Sequence, residues 1–292
     1  MTADNPVSVF DQVLCISLER CVERRTHTQR EFNRIGIPHY QFIDAYDKSS
    51  EEVIQLYESD FVKKYPPCFR CGETECACTN KSLFHPQIGN WLSHMAAWKL
   101  AQRTGGNLTL VCEDDVIFRS NTNESLVMLR ASGDITSNLK AGQPVLIRLG
   151  WALSDDHSET SAPRLTQDIK MANCCYAINP AMAGLLLKSL QKIDTTSDIY
   201  LHRIIGTDVH HYTVMPPPVH ELSWSTGELL SEIRPKQKHI EQLKQRLNKL
   251  EPGGAEYQDV LRKIELEKNR LQEFEEFNAN PSNNYRDKHP LI

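Results

Sequence analysis

Leu108-Thr109-Leu110-Val111-Cys112 runs straight into Glu113-Asp114-Asp115. A short apolar run bounded by turn residues has the length of a buried strand. Gly105-Gly106-Asn107 bounds it on one side and the three carboxylates on the other. In an open α/β sheet, ligands bind outside the carboxyl ends of the strands. Carboxylates placed there are costly unless a cation or a solvent-filled cleft receives them. If the strand continues, the side-chain period of two puts Glu113 and Asp115 on one side. One can then face a ribose and the other a metal. A hard divalent ion typically takes one or two carboxylates and fills its shell with diphosphate oxygens. The other reading is a solvated turn after a strand, where Asp is common. The triplet alone does not decide between them.

Upstream, Val13-Leu14-Cys15-Ile16-Ser17-Leu18 predicts a first buried strand. The charged stretch from Glu19 to Arg34 carries a sparse apolar face, Val22, Phe32 and Ile35, and predicts a helix ending near Gly36. Tyr40-Gln41-Phe42-Ile43 predicts a second strand, so the chain opens β-α-β, the usual start of a parallel sheet. Residues 48–84 read as irregular. Residues 88–101 read as a helix with Ile88, Trp91, Leu92, Met95 and Trp98 on one face. Downstream, strands are expected at residues 145–149, 174–178 and 211–215, with a helix at 180–192 that has Pro in its first turn. Pro216-Pro217-Pro218 reads as the end of the sheet domain, placed at residues 1–231 with a cysteine-rich insertion at 65–80. Residues 232–279 carry two apolar stripes, one through Ile240, Leu243, Leu247 and Leu250, the other through Val260, Leu261, Ile264, Leu271 and Phe274. Pro252-Gly253-Gly254 breaks them. This predicts an antiparallel helical hairpin, expected to mediate self-association or acceptor docking, followed by a loose tail at 280–292.

The 292 residues are 40% hydrophobic and 24% charged, an ordinary globular balance, with a net charge of -5. That charge argues against a general nucleic-acid binder, whose phosphate contacts need a basic surface. No apolar run approaches the roughly 20 residues of a membrane span. The N-terminus lacks the basic-then-apolar pattern of a secretory signal, so a cytoplasmic location is expected. Nine cysteines are then expected to be mostly reduced. Cys68, Cys71, Cys76 and Cys78 crowd into one stretch, with His85 able to replace one thiol. A structural Zn²⁺ site is one reading. Free thiols, disulfides or another metal are the others.

Several segments, in order, carry a resemblance. Cys15-Ile16-Ser17-Leu18-Glu19-Arg20 followed by Glu23-Arg24-Arg25 resembles the opening of glycosyltransferase family 25, which includes lipopolysaccharide and collagen galactosyltransferases. Phe42-Ile43-Asp44-Ala45 resembles the next family element. Gln87-Ile88-Gly89-Asn90-Trp91-Leu92-Ser93-His94 is similar to its Gly-x-x-x-Ser-His helix. Val111-Cys112-Glu113-Asp114-Asp115-Val116 is similar to its acidic motif, and Cys175-Tyr176-Ala177-Ile178 and Asp198-Ile199-Tyr200-Leu201 to two later elements. The cysteine-rich stretch and the hairpin are not usual features of that family.

The resemblance implies an α/β GT-A-type fold with a mostly parallel sheet, a UDP-sugar donor, Mn²⁺ or another divalent ion, and inversion at the anomeric carbon. Such a transfer needs a base for the acceptor hydroxyl and a cation on the leaving diphosphate. By match to the motifs, Asp115 is the expected metal ligand and Glu113 the ribose or second metal contact, with Asp114 in the same donor set. Asp198 is the candidate base, with Asp194 and Asp208 as rivals. His220, after the proline run, is either a second metal ligand or an exposed loop histidine. Arg24 and Arg25 suit a nucleotide or diphosphate, with one of the two expected on a solvated helix face. Adjacent helical residues do not face each other, so Ser93 and His94 are not a catalytic pair. His94 either orders the acidic site by a hydrogen bond or is a core histidine. The leading expectation is a hexosyltransferase moving galactose or glucose to a glycan, lipid-linked sugar or protein hydroxyl. The alternative is a catalytically silent binding scaffold with a zinc-stabilised interaction loop.

Overall fold

A computed structural model of the chain describes residues 6–69, 72–73, 81–103, 105–151, 161–170, 172–206, 208–225 and 237–279. In chain order its elements are β1 (Gln12–Ser17), α1 (Val22–Ile35), β2 (Gln41–Asp44), α2 (Glu51–Glu58), α3 (His85–Arg103), β3 (Thr109–Glu113), β4 (Val116–Phe118), α4 (Thr122–Ala131), α5 (Gly133–Lys140), β5 (Val145–Gly150), β6 (Arg164–Thr166), β7 (Cys175–Ile178), α6 (Pro180–Ser189), α7 (Ser197–Arg203), β8 (His210–Met215), β9 (Val219–Glu221), α8 (Leu222–Ser225), α9 (Gln237–Leu247) and α10 (Ala255–Ala279). Gly36 caps α1 in the left-handed conformation, φ 79°, where glycine carries no Cβ penalty.

The central strands are buried on both faces, which is why they read as unbroken apolar runs rather than alternating ones. Val13, Cys15, Leu110 and Cys112 point into one core, packed with Phe32 of α1, Leu126 and Leu129 of α4, and Ile135 of α5. Leu14, Ile16 and Val111 point into the other, with Trp91 and Trp98 of α3, Met182 and Leu186 of α6, and Leu201 of α7. The result is three layers, helices on both faces of one sheet.

The sheet order is β2-β1-β3-β7-β5-β8-β6, with a β4–β9 ribbon joined through β9 to β5. β1 pairs parallel with β2 and β3, and β5 parallel with β8. β7 runs antiparallel to both of its neighbours, and the edge strand β6 antiparallel to β8. The sheet is therefore mixed, where a mostly parallel one was expected. Parallel neighbours need a long crossover, usually a helix; among the described residues between β5 and β7 there is none.

Two further differences shape the site. α2 stands in the stretch read as irregular, opened by Ser50, whose side chain accepts from Val53 N–H. The sheet does not end at the prolines, because β9 follows them and pairs with β4. β9 also brings residues 219–221 to the carboxyl edge of β5, where Gly150 pairs with Val219. Beyond the sheet, α9 and α10 pack on each other through Ile240, Leu243, Val260 and Ile264. Lys263 of α10 reaches Glu23 of α1 at 3.2 Å. No described helix is long and apolar enough to cross a membrane.

Candidate active site

The ends of β1 and β3, the loop after β2, the start of α3 and the β9–α8 junction line an open cleft. Glu113, Asp114 and Asp115 all line it, with Arg24 beside them and Arg20 and Lys48 also on its wall. The three carboxylates are not equivalent.

Asp114 is held by the fold. Its Oδ2 accepts from Ser17 Oγ at 2.6 Å, and its Oδ1 from Arg24 Nε at 2.6 Å. Arg24 Nη2 lies 2.5 Å from the same oxygen and 3.4 Å from Asp115 Oδ2. Thr28 Oγ1 donates to the Asp114 carbonyl at 3.2 Å. This pairing joins β1, α1 and the end of β3. It also commits the Arg24 guanidinium to carboxylates of its own chain.

Glu113 is oriented by α3. Asn90 Nδ2 donates to its Oε1 at 3.0 Å, and His94 Nε2 lies 3.3 Å from the same oxygen. Behind His94, Trp98 Nε1 donates to Tyr176 OH at 2.8 Å, and Tyr176 OH lies 2.9 Å from His94 Nδ1. Asn173 Nδ2 also lies 3.0 Å from His94 Nε2, so the ring is held between Tyr176, Asn173 and Glu113. Burial works to raise the Glu113 carboxyl, but the His94 and Asn90 hydrogen bonds and the Arg24 charge hold it below its ordinary value.

The Gly-x-x-x-Ser-His spacing acquires a physical reason here. A Cβ on Gly89 would stand 2.4 Å from the Tyr46 carbonyl oxygen, so only glycine lets α3 approach the loop after β2. Ser93 Oγ donates to Gly89 O at 2.7 Å and accepts from Tyr46 N–H at 3.0 Å. The loop so fixed, Tyr46-Asp47-Lys48, is one wall of the cleft. Asp47 pairs with Arg20 at 2.8 Å. Burial opposes the ionised form of Asp47, but hydrogen bonds from Ser49 and Arg20 take it down to about 2.

Asp115 differs from both neighbours. It is 2% exposed, and its Oδ1 has no hydrogen-bond partner. Burial pushes its carboxyl up; the Arg24 charge opposes this, and Glu113 and Asp114 add to it. Its backbone carbonyl accepts from Leu222 N–H at 2.8 Å, which draws the β9–α8 junction over it. Glu221 and Ser223 of that junction line the cleft, and Ser223 Oγ donates to Glu221 Oε1 at 2.6 Å. His220, paired opposite Ile117 on the β4–β9 ribbon, is not among the cleft-lining residues. No cluster of three His, Cys, Asp or Glu poised around one point occurs among the described residues. A site of one or two carboxylates would suit only a hard divalent ion that takes its remaining oxygens from a substrate.

The other sequence candidates are spread more widely. Arg25 donates to Asp44 Oδ1 at 2.5 Å and to Ser17 O at 3.0 Å, and sits 5.0 Å over the Phe42 ring. It is outside the cleft wall. Asp198 lies half-buried in the first turn of α7, also off the cleft wall. Its neighbour Ser197 donates to Asn90 Oδ1 at 2.5 Å and accepts from Asn173 Nδ2 at 3.0 Å. One asparagine thus joins Glu113 to the start of α7. Cys68 is buried; Cys71, Cys76 and Cys78 lie outside the described residues. Arg20, Lys48, Asn90 and Glu221 were not singled out from sequence. Lys48 and Glu221 follow or end strands, a position that could have drawn attention to them.

Residues 10–201 match the family described as Glycosyltransferase family 25 (LPS biosynthesis protein). That span is more than half of the chain and contains the acidic triplet, α3 and the start of α7. The class so defined is that of enzymes that transfer glycosyl groups. The chain belongs to glycosyltransferase family 25. It is similar to "Putative glycosyltransferase R655" of Acanthamoeba polyphaga mimivirus, 25% identical over 170 residues, covering 58% of this chain and 44% of that protein. It is also similar to "Glycosyltransferase 25 family member" of Drosophila melanogaster, 25% identical over 122 residues, covering 41% of this chain and 18% of that protein. The matched stretch spans less than half the length of either relative.

Proposed function

We propose that the chain is an inverting, UDP-sugar-dependent hexosyltransferase with a GT-A-type fold, and that the cleft beside β3 is its donor site. One observation carries this reading: Asp115, buried at the cleft wall, has a carboxylate oxygen without a partner. A cation there would relieve the cost of burying that charge. Asp115 and Glu221 would hold Mn²⁺ or a similar ion, with His220 of the same strand as a further candidate ligand. When bound, the ion supplies charge stabilisation for the leaving diphosphate. Arg20 and Lys48, on the cleft wall, suit the anionic diphosphate. Glu113, fixed by Asn90 and His94, suits ribose hydroxyls. Asp198 is the base proposed to take the acceptor hydroxyl proton as that oxygen attacks the anomeric carbon and the bond to UDP breaks. Galactose or glucose as the donated sugar, and a glycan, lipid-linked sugar or protein hydroxyl as acceptor, rest on the family resemblance. So does the order of steps. A structural Zn²⁺ at Cys68, Cys71, Cys76 and Cys78 remains a separate proposal, tested by elemental analysis.

The test is UDP release from a panel of UDP-sugars with Mn²⁺. Release from at least one UDP-hexose is expected, and Asp115→Asn should lower it by about 10²-fold or more, as loss of a preorganised charge contact does. No release from any UDP-sugar by the folded protein, with or without candidate acceptors, would favour the silent scaffold.

A further inference from the structure

Arg148 has no part in the cleft. All six residues of β5 are buried, and Arg148 is 1% exposed. By the period of two it shares a face with Leu146. Its cross-strand neighbour is Tyr176, and both Leu146 and Tyr176 belong to the core under α3, α6 and α7. None of Nε, Nη1 and Nη2 has a hydrogen-bond partner. Burial pulls the guanidinium down to about 10, so it stays charged at neutral pH.

Two histidines lie near enough to feel its charge. His211 of β8, half-buried, pairs in register with Leu146, two residues before Thr213, which lies opposite Arg148, and its Nδ1 has no partner. His202 of α7 follows Leu201, which packs into that core; it is 9% exposed, and neither ring nitrogen has a partner. Burial first and the Arg148 charge second lower both imidazoles, His202 to about 4. Both are therefore neutral at neutral pH, each with one N–H to donate.

Three elements thus carry unpaired polar groups, a charged guanidinium and two neutral imidazoles, and among the described residues no carboxylate or carbonyl pairs with the guanidinium. A buried ion without a partner is destabilising, and an apolar side chain of the same size would avoid that cost. The planar fork of a guanidinium matches two oxygens of a carboxylate or phosphate.

We propose that Arg148, His202 and His211 form a buried binding site for a compact oxoanion, a phosphate or a carboxylate group, separate from the acidic cleft. The site takes the anion either free from solution or as part of a small ligand. The guanidinium is enclosed, so entry requires local opening of the surrounding core.

The test is thermal unfolding of the full chain in a zwitterionic buffer, titrated with sodium phosphate, sodium acetate or sodium chloride at matched ionic strength. Phosphate or acetate should raise Tm by about 3–5 °C at ten times its Kd, and chloride should not. Arg148→Met should abolish that rise, and its Tm without oxoanion should equal or exceed that of the native sequence. Arg20→Ala, which alters the cleft, should keep the rise. General salt stabilisation would raise native and Arg148→Met proteins alike, and that outcome overturns the proposal. So does the absence of any rise beyond chloride. Should Arg148→Met not fold, imidazole NMR of the native protein decides. Phosphate or acetate must shift the His202 and His211 resonances, assigned by His202→Gln and His211→Gln, and unshifted resonances overturn the site.

Discussion

Asp114 and Asp115 are chain neighbours with opposite work. Both oxygens of Asp114 are taken by Ser17 and Arg24, whereas one oxygen of Asp115 has no partner. Removing one member of a buried ion pair typically costs about 3–5 kcal/mol. Asp114→Ala should therefore lower stability by about 3 kcal/mol or more in urea unfolding. Asp115→Asn should cost less than about 1 kcal/mol, because it removes a charge that is poorly satisfied in the free protein. Equal losses would contradict this division. The sequence displays three carboxylates at a strand end but not which one is covered. Ser17 and Arg24 reach Asp114 only once β1 and β3 pair in register. Glu221 is hidden for the same reason. It comes to the cleft through the β4–β9 pairing, between two three-residue strands too short to show a period.

At the scale of elements, α3 is legible as a helix and its surroundings are not. Ile88, Trp91 and Trp98 are buried as their spacing predicts, yet Gln87, Ser93, His94 and Ala97 are buried too. A helix covered by α2 and α6 while it also packs on β1 has little exposed face left. The short helices escaped the reading because one or two turns carry no periodicity; only their caps speak, as Ser50 does for α2. α7 is of this kind. Its Ser197 is tied to Asn90, which also holds Glu113. The base proposed beside it, Asp198, should therefore affect turnover and not the donor. Asp198→Asn is expected to lower turnover by about 10²–10⁴-fold with UDP affinity unchanged. Near-normal turnover would eliminate Asp198. A parallel loss of UDP affinity would move it to the donor shell and make Asp208 the next candidate.

For the whole molecule, the β-α-β opening and the acidic strand end are legible because both-face burial writes itself as apolar runs. The direction of β7 is not, since an isolated apolar run carries no sign of which way its neighbours point. The three layers leave one edge of the sheet open, and the carboxylates, Arg20 and Lys48 gather at that edge. α10 touches α1 through Lys263 and Glu23, one residue from Arg24; an exposed pair of this kind contributes at most about 1 kcal/mol. In the proposed function the acidic edge becomes a UDP site when a divalent ion joins Asp115 to the diphosphate. Calorimetric titration of UDP into the protein, once with Mn²⁺ and once with EDTA, tests it most directly. Binding with Mn²⁺ should be lost in EDTA and lost in Asp115→Asn. Equal UDP affinity with Mn²⁺ and with EDTA would contradict it.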